Sequence, residues 1–498
     1  MNANTQRALF ALVFAPALLL AASTWAQQPG EPPADKPAKA TAVPAAGAVR
    51  VYSLEELLRL ANSNAAVIEE HKARIRRAEW RQYRANRAWG PRLESTTLLA
   101  PVPANADPTR FDENIDEILL LNIGPYVRQT LRVVVPVYTF GRISTAQELA
   151  ELGVDVALLQ AEQARLDHFF QLKQAYYGRQ LSQAFAVLLR EGDELVKENL
   201  ARMEEARDFG EADFETADLR RLQIFNADLD TRILDNNRLG DLTAAAINYL
   251  AGIEGEARVI TLDEGAPIAE IEALERYIAL ALIHRPEVVQ LERAVQAREL
   301  QQRLERRNFY PNIFVAADFG FGWSTEDVAL QPVCRRVEPG GPCINAEDLF
   351  ARPYANPFRT LTFGIALGMN WQFDVFGLYG QLQEVNAQRD ETIAQRERAL
   401  GAIRLEVTRQ HREALDARRR IEIQGRRLDA ARRWRNQFGA TLKVGTGANI
   451  SDAIDPLRAY YEARALYLEA HHNYLVARAA LARAVGLQAL EDAPAPAP

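Results

Sequence analysis

Two hydrophobic rhythms alternate along this chain. From Arg142 to Asp208 there is no proline, and apolar residues such as Leu158, Leu159, Phe169, Phe170 and Leu172 recur at helical spacing. At about 1.5 Å per residue this run predicts a helix of roughly 100 Å. A helix of that length needs a partner packed along it. Asp218 to Leu250 predicts the returning arm of a hairpin, and Gly380 to Arg435 with Asp452 to Val485 predicts a second hairpin. Shorter helices are predicted over Leu54–Trp89 and Leu274–Arg307.

The second rhythm has period two. In the stretch from Leu361 to Trp371, Leu361, Phe363, Ile365, Leu367, Met369 and Trp371 fall on one face, and Thr362, Gly364, Ala366, Gly368 and Asn370 on the other. Ile313 to Trp323 alternates in the same way, with Asp318, Gly320 and Gly322 on the small and polar side. Gln129–Val137 alternates in part and Pro91–Ala100 weakly. A soluble sheet shares the period, but its strands usually run about five or six residues, whereas a tilted membrane strand needs about 9–11. The expected fold class is therefore mainly α with a transmembrane β-barrel portion. Four strands cannot close a barrel, and an open sheet edge is not tolerated in lipid, so the chain is expected to oligomerise. The loops Pro103–Tyr126 and Ser324–Phe358 would lie on the external side.

The order of these segments occurs twice. SLEELLRLA at Ser53 answers to ALERYIALA at Ala273, Pro91 to Pro311 (311 − 91 = 220), Gly141 to Gly377 (377 − 141 = 236), and Asp218 to Asp452 and Gly252 to Gly486 (452 − 218 = 234 and 486 − 252 = 234). A longer loop between the second pair of strands accounts for the change of period. The expected organisation is a first repeat over 51–252, with a strand pair at 91–141 and a hairpin tip near 210–218. A connector at 253–272 leads to a second repeat over 273–487, with a strand pair at 311–377 and a tip near 439–455.

The N-terminus adds a destination. Arg7 precedes an apolar run from Ala8 to Ala22 and a small-residue site at Thr24-Trp25-Ala26, the pattern of a secretory signal peptide over 1–26. A Pro- and Ala-rich stretch at 27–50 reads as a linker, and 488–498 as a disordered tail. The 498 residues carry 59 Lys and Arg against 66 Asp and Glu, a net charge of −7 that disfavours a nucleic-acid partner. A mean hydropathy of −0.22 excludes a polytopic helical membrane protein. Two cysteines, Cys334 and Cys343, could bridge in an oxidising compartment or remain thiols. No phosphate loop, HExxH, CxxC or GxSxG occurs, so neither an enzyme nor a cofactor or metal site is expected.

The paired openings, the strand entries at Pro91 and Pro311, the VPVYTFGR strand exit at Val135–Arg142 and the block from Val444 to Gly486 together resemble the TolC-type outer-membrane efflux protein family over about Val51–Leu487. The resemblance implies a homotrimer in outer-membrane lipid. Each protomer gives four strands to one shared barrel and two hairpins to an α-barrel across the periplasm. It also implies two partners, a periplasmic adaptor (membrane fusion) protein and an inner-membrane transporter of RND, ABC or MFS type. The implied function is the exit duct of a tripartite efflux pump or type I secretion system, closed at its helical tip until the partners dock.

By the same resemblance Asp452 and Asp455 match the paired pore aspartates, and Asp218 the acidic position of the first tip. Gly210, Gly445 and Gly447 occupy the tip turns. Asp452 is also placed to cap its helix. The tyrosine and arginine that latch the tip in the family are Leu442 and Gly447 in this sequence. An acidic first tip (Glu204, Glu205, Asp208) and a basic approach to the second (Arg418, Arg426, Arg432, Arg433) could pair between hairpins or stand as solvated faces. The alternative class is a periplasmic coiled-coil adaptor or structural protein without a pore. If the N-terminal reading is right, intact-mass spectrometry of the exported protein will show a chain beginning at Gln27; a chain retaining Met1 would refute it.

Overall fold

The computed structural model describes residues 50–64, 66–103, 123–209, 216–253, 257–264, 267–324, 334–335, 344–345, 360–444 and 454–492. The chain enters through β1 (Arg50–Tyr52), α1 (Leu54–Asn64) and α2 (Ala66–Asn86). The strand pair β2 (Arg92–Pro103) and β3 (Ile123–Tyr138) leads to the long hairpin α3 (Arg142–Phe209) and α4 (Thr216–Ala251). After β4 (Ala257–Val259) the order recurs. Helices α5 (Leu274–His284) and α6 (Pro286–Arg307) precede β5 (Asn312–Ser324), the short β6 (Cys334–Arg335) and β7 (Ile344–Asn345), and β8 (Thr360–Asn370). The second hairpin is α7 (Val375–Val444) with α8 (Ile454–Val485), followed by a 3-10 turn at Leu490–Asp492.

Two expected helices are each divided. Leu274–Arg307 breaks at Arg285, which is extended (φ −69°, ψ 123°) because the next residue, Pro286, opens α6 at its first position. Proline restricts the residue before it to such a conformation. The span Leu54–Trp89 holds α1 and α2 as separate helices. Strands β2 and β3 run past their alternating stretches, since β3 is bonded on both sides, to β2 and to β5. Main-chain pairing there extends the strand where side-chain pattern is silent.

Each hairpin is anchored at a like position. Ser53 Oγ caps α1 by accepting a bond from the Glu56 amide at 3.2 Å. Leu57 and Ala61 of α1 then pack into one cluster with Phe169, Leu172, Ile247 and Ala251. In the second half Tyr277, Ala281, Ile403, Val407, Leu481 and Val485 make the matching cluster. Helices α4 and α8 end on Gly252 (φ 63°) and Gly486 (φ 85°), with Ile253 donating to the Asn248 carbonyl at 3.0 Å and Leu487 to that of Ala482 at 2.9 Å. These are Schellman closures, in which a left-handed glycine satisfies the last carbonyls. A Cβ on Gly486 would lie 2.8 Å from the Arg285 backbone, so the closure also sets how near α5 and α6 come to α8.

Arg285, 4% exposed, knits the second half together. It donates to Glu406 at 2.7 Å, to Glu287 at 3.0 Å and to the Ala484 carbonyl at 3.3 Å. Glu406 also accepts from Arg483 at 2.7 Å, and Arg483 from its other side donates to Asp167 of α3 at 2.6 Å. One network therefore spans α3, α6, α7 and α8. Burial on its own would raise the Glu287 carboxyl, but the Arg285 hydrogen bond and charge outweigh it and hold Glu287 below its ordinary value. A carboxylate held low in the folded state stabilises above its unfolded value, and that contribution fades as pH falls through the folded value. The thermal midpoint, followed by circular dichroism, should thus be level from about pH 7 to 5 and fall below about pH 4. Glu287→Gln should lower the neutral-pH midpoint and flatten the acid fall; an unchanged acid fall would count against this account.

Candidate functional site

The four long strands form one antiparallel sheet in the order β2-β3-β5-β8. Register decides its faces. Val315 pairs with Leu367, Phe319 with Phe363 and Phe321 with Leu361, and Leu131 lies across from Phe319, so the apolar positions of β3, β5 and β8 share one side. On β8 that side is open: Leu361, Phe363 and Leu367 are 74%, 73% and 73% exposed, and Ile365 and Met369 on the same side are exposed as well. A soluble strand would bury such residues, at about 1.5–3 kcal/mol each. Eleven residues at about 3.4 Å each, tilted by about 40°, span about 28 Å, close to the hydrocarbon thickness of a bilayer.

The opposite side carries Arg92, Glu94, Thr96, Arg128, Arg132 and Asp318 among glycines and alanines. Arg132 pairs across strands with Asp318 at 2.5 Å. At the helix-side end of the sheet Tyr138 meets Phe140 edge-on at 4.6 Å, Phe140 stacks on Tyr310 at 5.2 Å, and Trp371 meets Phe373 at 4.2 Å. Trp371 donates its indole N–H to the Phe309 carbonyl at 3.1 Å. Aromatic rings at one level along a sheet end suit a membrane–water interface. The alternating sequence pointed to Trp371, whereas the Tyr138–Phe140–Tyr310 stack was not anticipated. Phe140 lies outside any alternating run and reaches the stack through a left-handed backbone (φ 48°).

Among the expected tip residues, Asp455 stands exposed in the first turn of α8. Asp218 occupies the first turn of α4, where its charge favours the helix N-terminus. It is 7% exposed, with Arg221 3.3 Å from its carboxylate. Asp452, Gly210, Gly445 and Gly447 lie outside the described residues. Cys334 lies in β6, which pairs with β7 (Cys334 opposite Asn345), and Cys343 lies outside the described residues. Some arginines approaching the second tip find partners within their own hairpin: Arg427 lies 3.8 Å from Glu462, Arg432 3.8 Å from Asp429, and Arg435 covers the Tyr460 ring at 3.9 Å. Among the described residues no helix is long and apolar enough to cross a membrane, and no group of side chains gathers for a metal.

Paired long helical hairpins joined to an antiparallel sheet with an open apolar face define the class: the fold of TolC-type outer-membrane channels. Residues 277–487 match the family model described as outer membrane efflux protein, and the resemblance read in the sequence holds. Across the chain the structure is similar to the Campylobacter jejuni CmeC outer membrane channel, at 12% identity and TM-score 0.65, covering 89% of this chain and 87% of that one. It is also similar to the Vibrio cholerae outer membrane protein VceC (16%, TM-score 0.62, 87% and 96% covered). The open state of the Neisseria gonorrhoeae MtrE outer membrane channel is a third likeness (14%, TM-score 0.62, 87% and 89%). No curated protein matches the sequence. On reconstitution into lipid, Ile365→Arg should cost about 2–4 kcal/mol, while Ala366→Arg on the opposite side should leave assembly intact. Yields of folded protein that shifts on heating in gels would compare them; equal loss in both would contradict the assignment of faces.

Proposed function

We propose that this chain is the outer-membrane exit duct of a tripartite efflux pump or type I secretion system, passing substrate passively from a periplasmic tunnel to the exterior. The observation that carries the reading is the sheet, which joins an open apolar face to two edge strands, β2 and β8, each bonded on one side only. In lipid such edges must be paired. Three copies in a ring would join β8 of each to β2 of the next, giving about twelve strands, within the range of known barrels. The exposed Leu361–Met369 face disfavours the soluble adaptor alternative, and the likeness to outer-membrane channels supports the same conclusion.

On this reading residues 1–26 direct export, 27–50 link to the first repeat, and the two hairpins of each copy line the tunnel. A periplasmic adaptor and an inner-membrane transporter dock at the helical end and supply the energy. Asp452, Asp455 and Asp218 form the acidic constriction. Rings of carboxylates in a narrow pore attract cations and repel anions. Asp455 is exposed in the first turn of α8, and Asp218, with Arg221 beside it, supports the ring from the first hairpin. Cys334 and Cys343 close a disulfide in the external loop. In planar bilayers the purified chain should give a small, cation-selective conductance. Asp452→Ala with Asp455→Ala should enlarge it or abolish its selectivity. Absence of conductance from well-folded native protein would overturn the duct reading, and an unaltered conductance in the variant would remove the aspartates from the gate.

A further inference from the structure

Charge is unevenly placed on the sheet. The strands β2, β3, β5 and β8 carry five charged residues, Arg92, Glu94, Arg128, Arg132 and Asp318, and the register puts all five on the side opposite the open apolar face. Strand β8 contributes none of them. Taken row by row across the strands, these charges separate. One row runs Glu94, Arg132, Asp318, Gly364, and in it Arg132 stands between two carboxylates and pairs with Asp318 at 2.5 Å. Arg92 lies two residues from Glu94 on the same side of β2, so Glu94 has a cation on either hand. The next such row, Thr96, Thr130, Gly320 and Thr362, is uncharged. Beyond it come Leu98, Arg128, Gly322 and Thr360, where Arg128 is exposed and its row holds no carboxylate.

Arg128 is four residues from Arg132 along β3, about 14 Å at strand rise. That exceeds the Debye length of about 10 Å at 0.1 M salt, so Asp318 and Glu94 do not offset it. We infer that Arg128 of three copies forms a guanidinium ring inside the end of the barrel next to the 103–126 loop, and that this ring binds multivalent anions bearing phosphate or carboxylate groups. The inference rests on the trimeric duct reading above and deepens it, giving the exit a charge opposite to that of the carboxylates proposed for the tip.

Scale supports the ring. About twelve strands, spaced about 4.8 Å apart and tilted by about 40°, give a barrel of backbone radius about 12 Å. An extended arginine crosses more than half of that distance, so three guanidinium groups can meet one small polyanion near the axis. Each offers a fork of donors that matches the oxygens of phosphate or carboxylate. The wall beside them is low. Gly322 shares the row of Arg128, Gly320 and Gly368 lie on the same side, and a Cβ on Gly364 would meet nothing within 4 Å.

The test is isothermal titration calorimetry of the purified full-chain trimer with sodium tripolyphosphate. At about 50 mM salt one ion should bind per three chains, and binding should fade near about 1 M, where the Debye length is about 3 Å. Arg128→Gln should weaken it at least about tenfold. Thr360→Glu, which leaves Arg128 in place and sets an acid in its row, should do the same and serves alone if Arg128→Gln fails to fold. Arg92→Gln, whose charge Glu94 already offsets, should change binding by less than about threefold. Native mass spectrometry checks that each variant is still a trimer. A conducting native trimer that binds no tripolyphosphate, or binding unchanged in the Arg128 and Thr360 variants, would overturn the ring while leaving the duct reading intact. A loss in Arg92→Gln as large as that in Arg128→Gln would also overturn it, since the anion would then sit at another row. A native chain that is monomeric or gives no conductance would overturn the reading on which the ring rests.

Discussion

A backbone amide in hydrocarbon has no water to turn to, so every strand edge placed there must be bonded. In this chain the sheet β2-β3-β5-β8 satisfies its interior strands and leaves one side of β2 and one side of β8 unpaired. Its outward positions on β8 are apolar and open. Placed in lipid, a single copy would therefore be incomplete.

Where the long hairpins meet the short helices, the fold changes its means of cohesion. Two like clusters, one around Leu57 and Ala61 and the other around Tyr277 and Ala281, clamp a short helix against the root of each hairpin. The second clamp carries an ion network through Arg285, Glu406, Arg483 and Asp167 that reaches from the second hairpin into the first. Buried charge is costly unless every partner is present, which makes this joint sensitive to the loss of any one group.

On the proposed reading the two ends serve separate physical tasks. The sheet end solves solvation, with aliphatic and aromatic side chains outward and Arg132, Asp318 and small residues inward. The helical end controls passage through carboxylates near the turns, and Asp218 shows how one such acid can serve both a helix terminus and an arginine neighbour. Substrate choice is assigned by neither end, because a water-filled duct discriminates chiefly by size and charge.

By itself the sequence determined the kinds of element and their order. Helical spacing without proline marks α3 and α7, and period-two runs around Phe319 and Phe363 mark β5 and β8, because both patterns record which side of a local element meets an apolar surface. It determined the repeated order of segments as well, through landmarks such as Gly252 and Gly486 whose left-handed backbone only glycine adopts without strain. The tertiary structure decided what those patterns cannot encode. It set the full length of β3, which depends on its neighbours' hydrogen bonds, and the four-helix ion network around Arg285. It set the ring contacts of Tyr138, Phe140 and Tyr310, assembled from distant segments, and the burial of Asp218. Local pattern reports burial along one element, whereas pairing, charge networks and ring stacks depend on distances between elements that only the packed chain establishes.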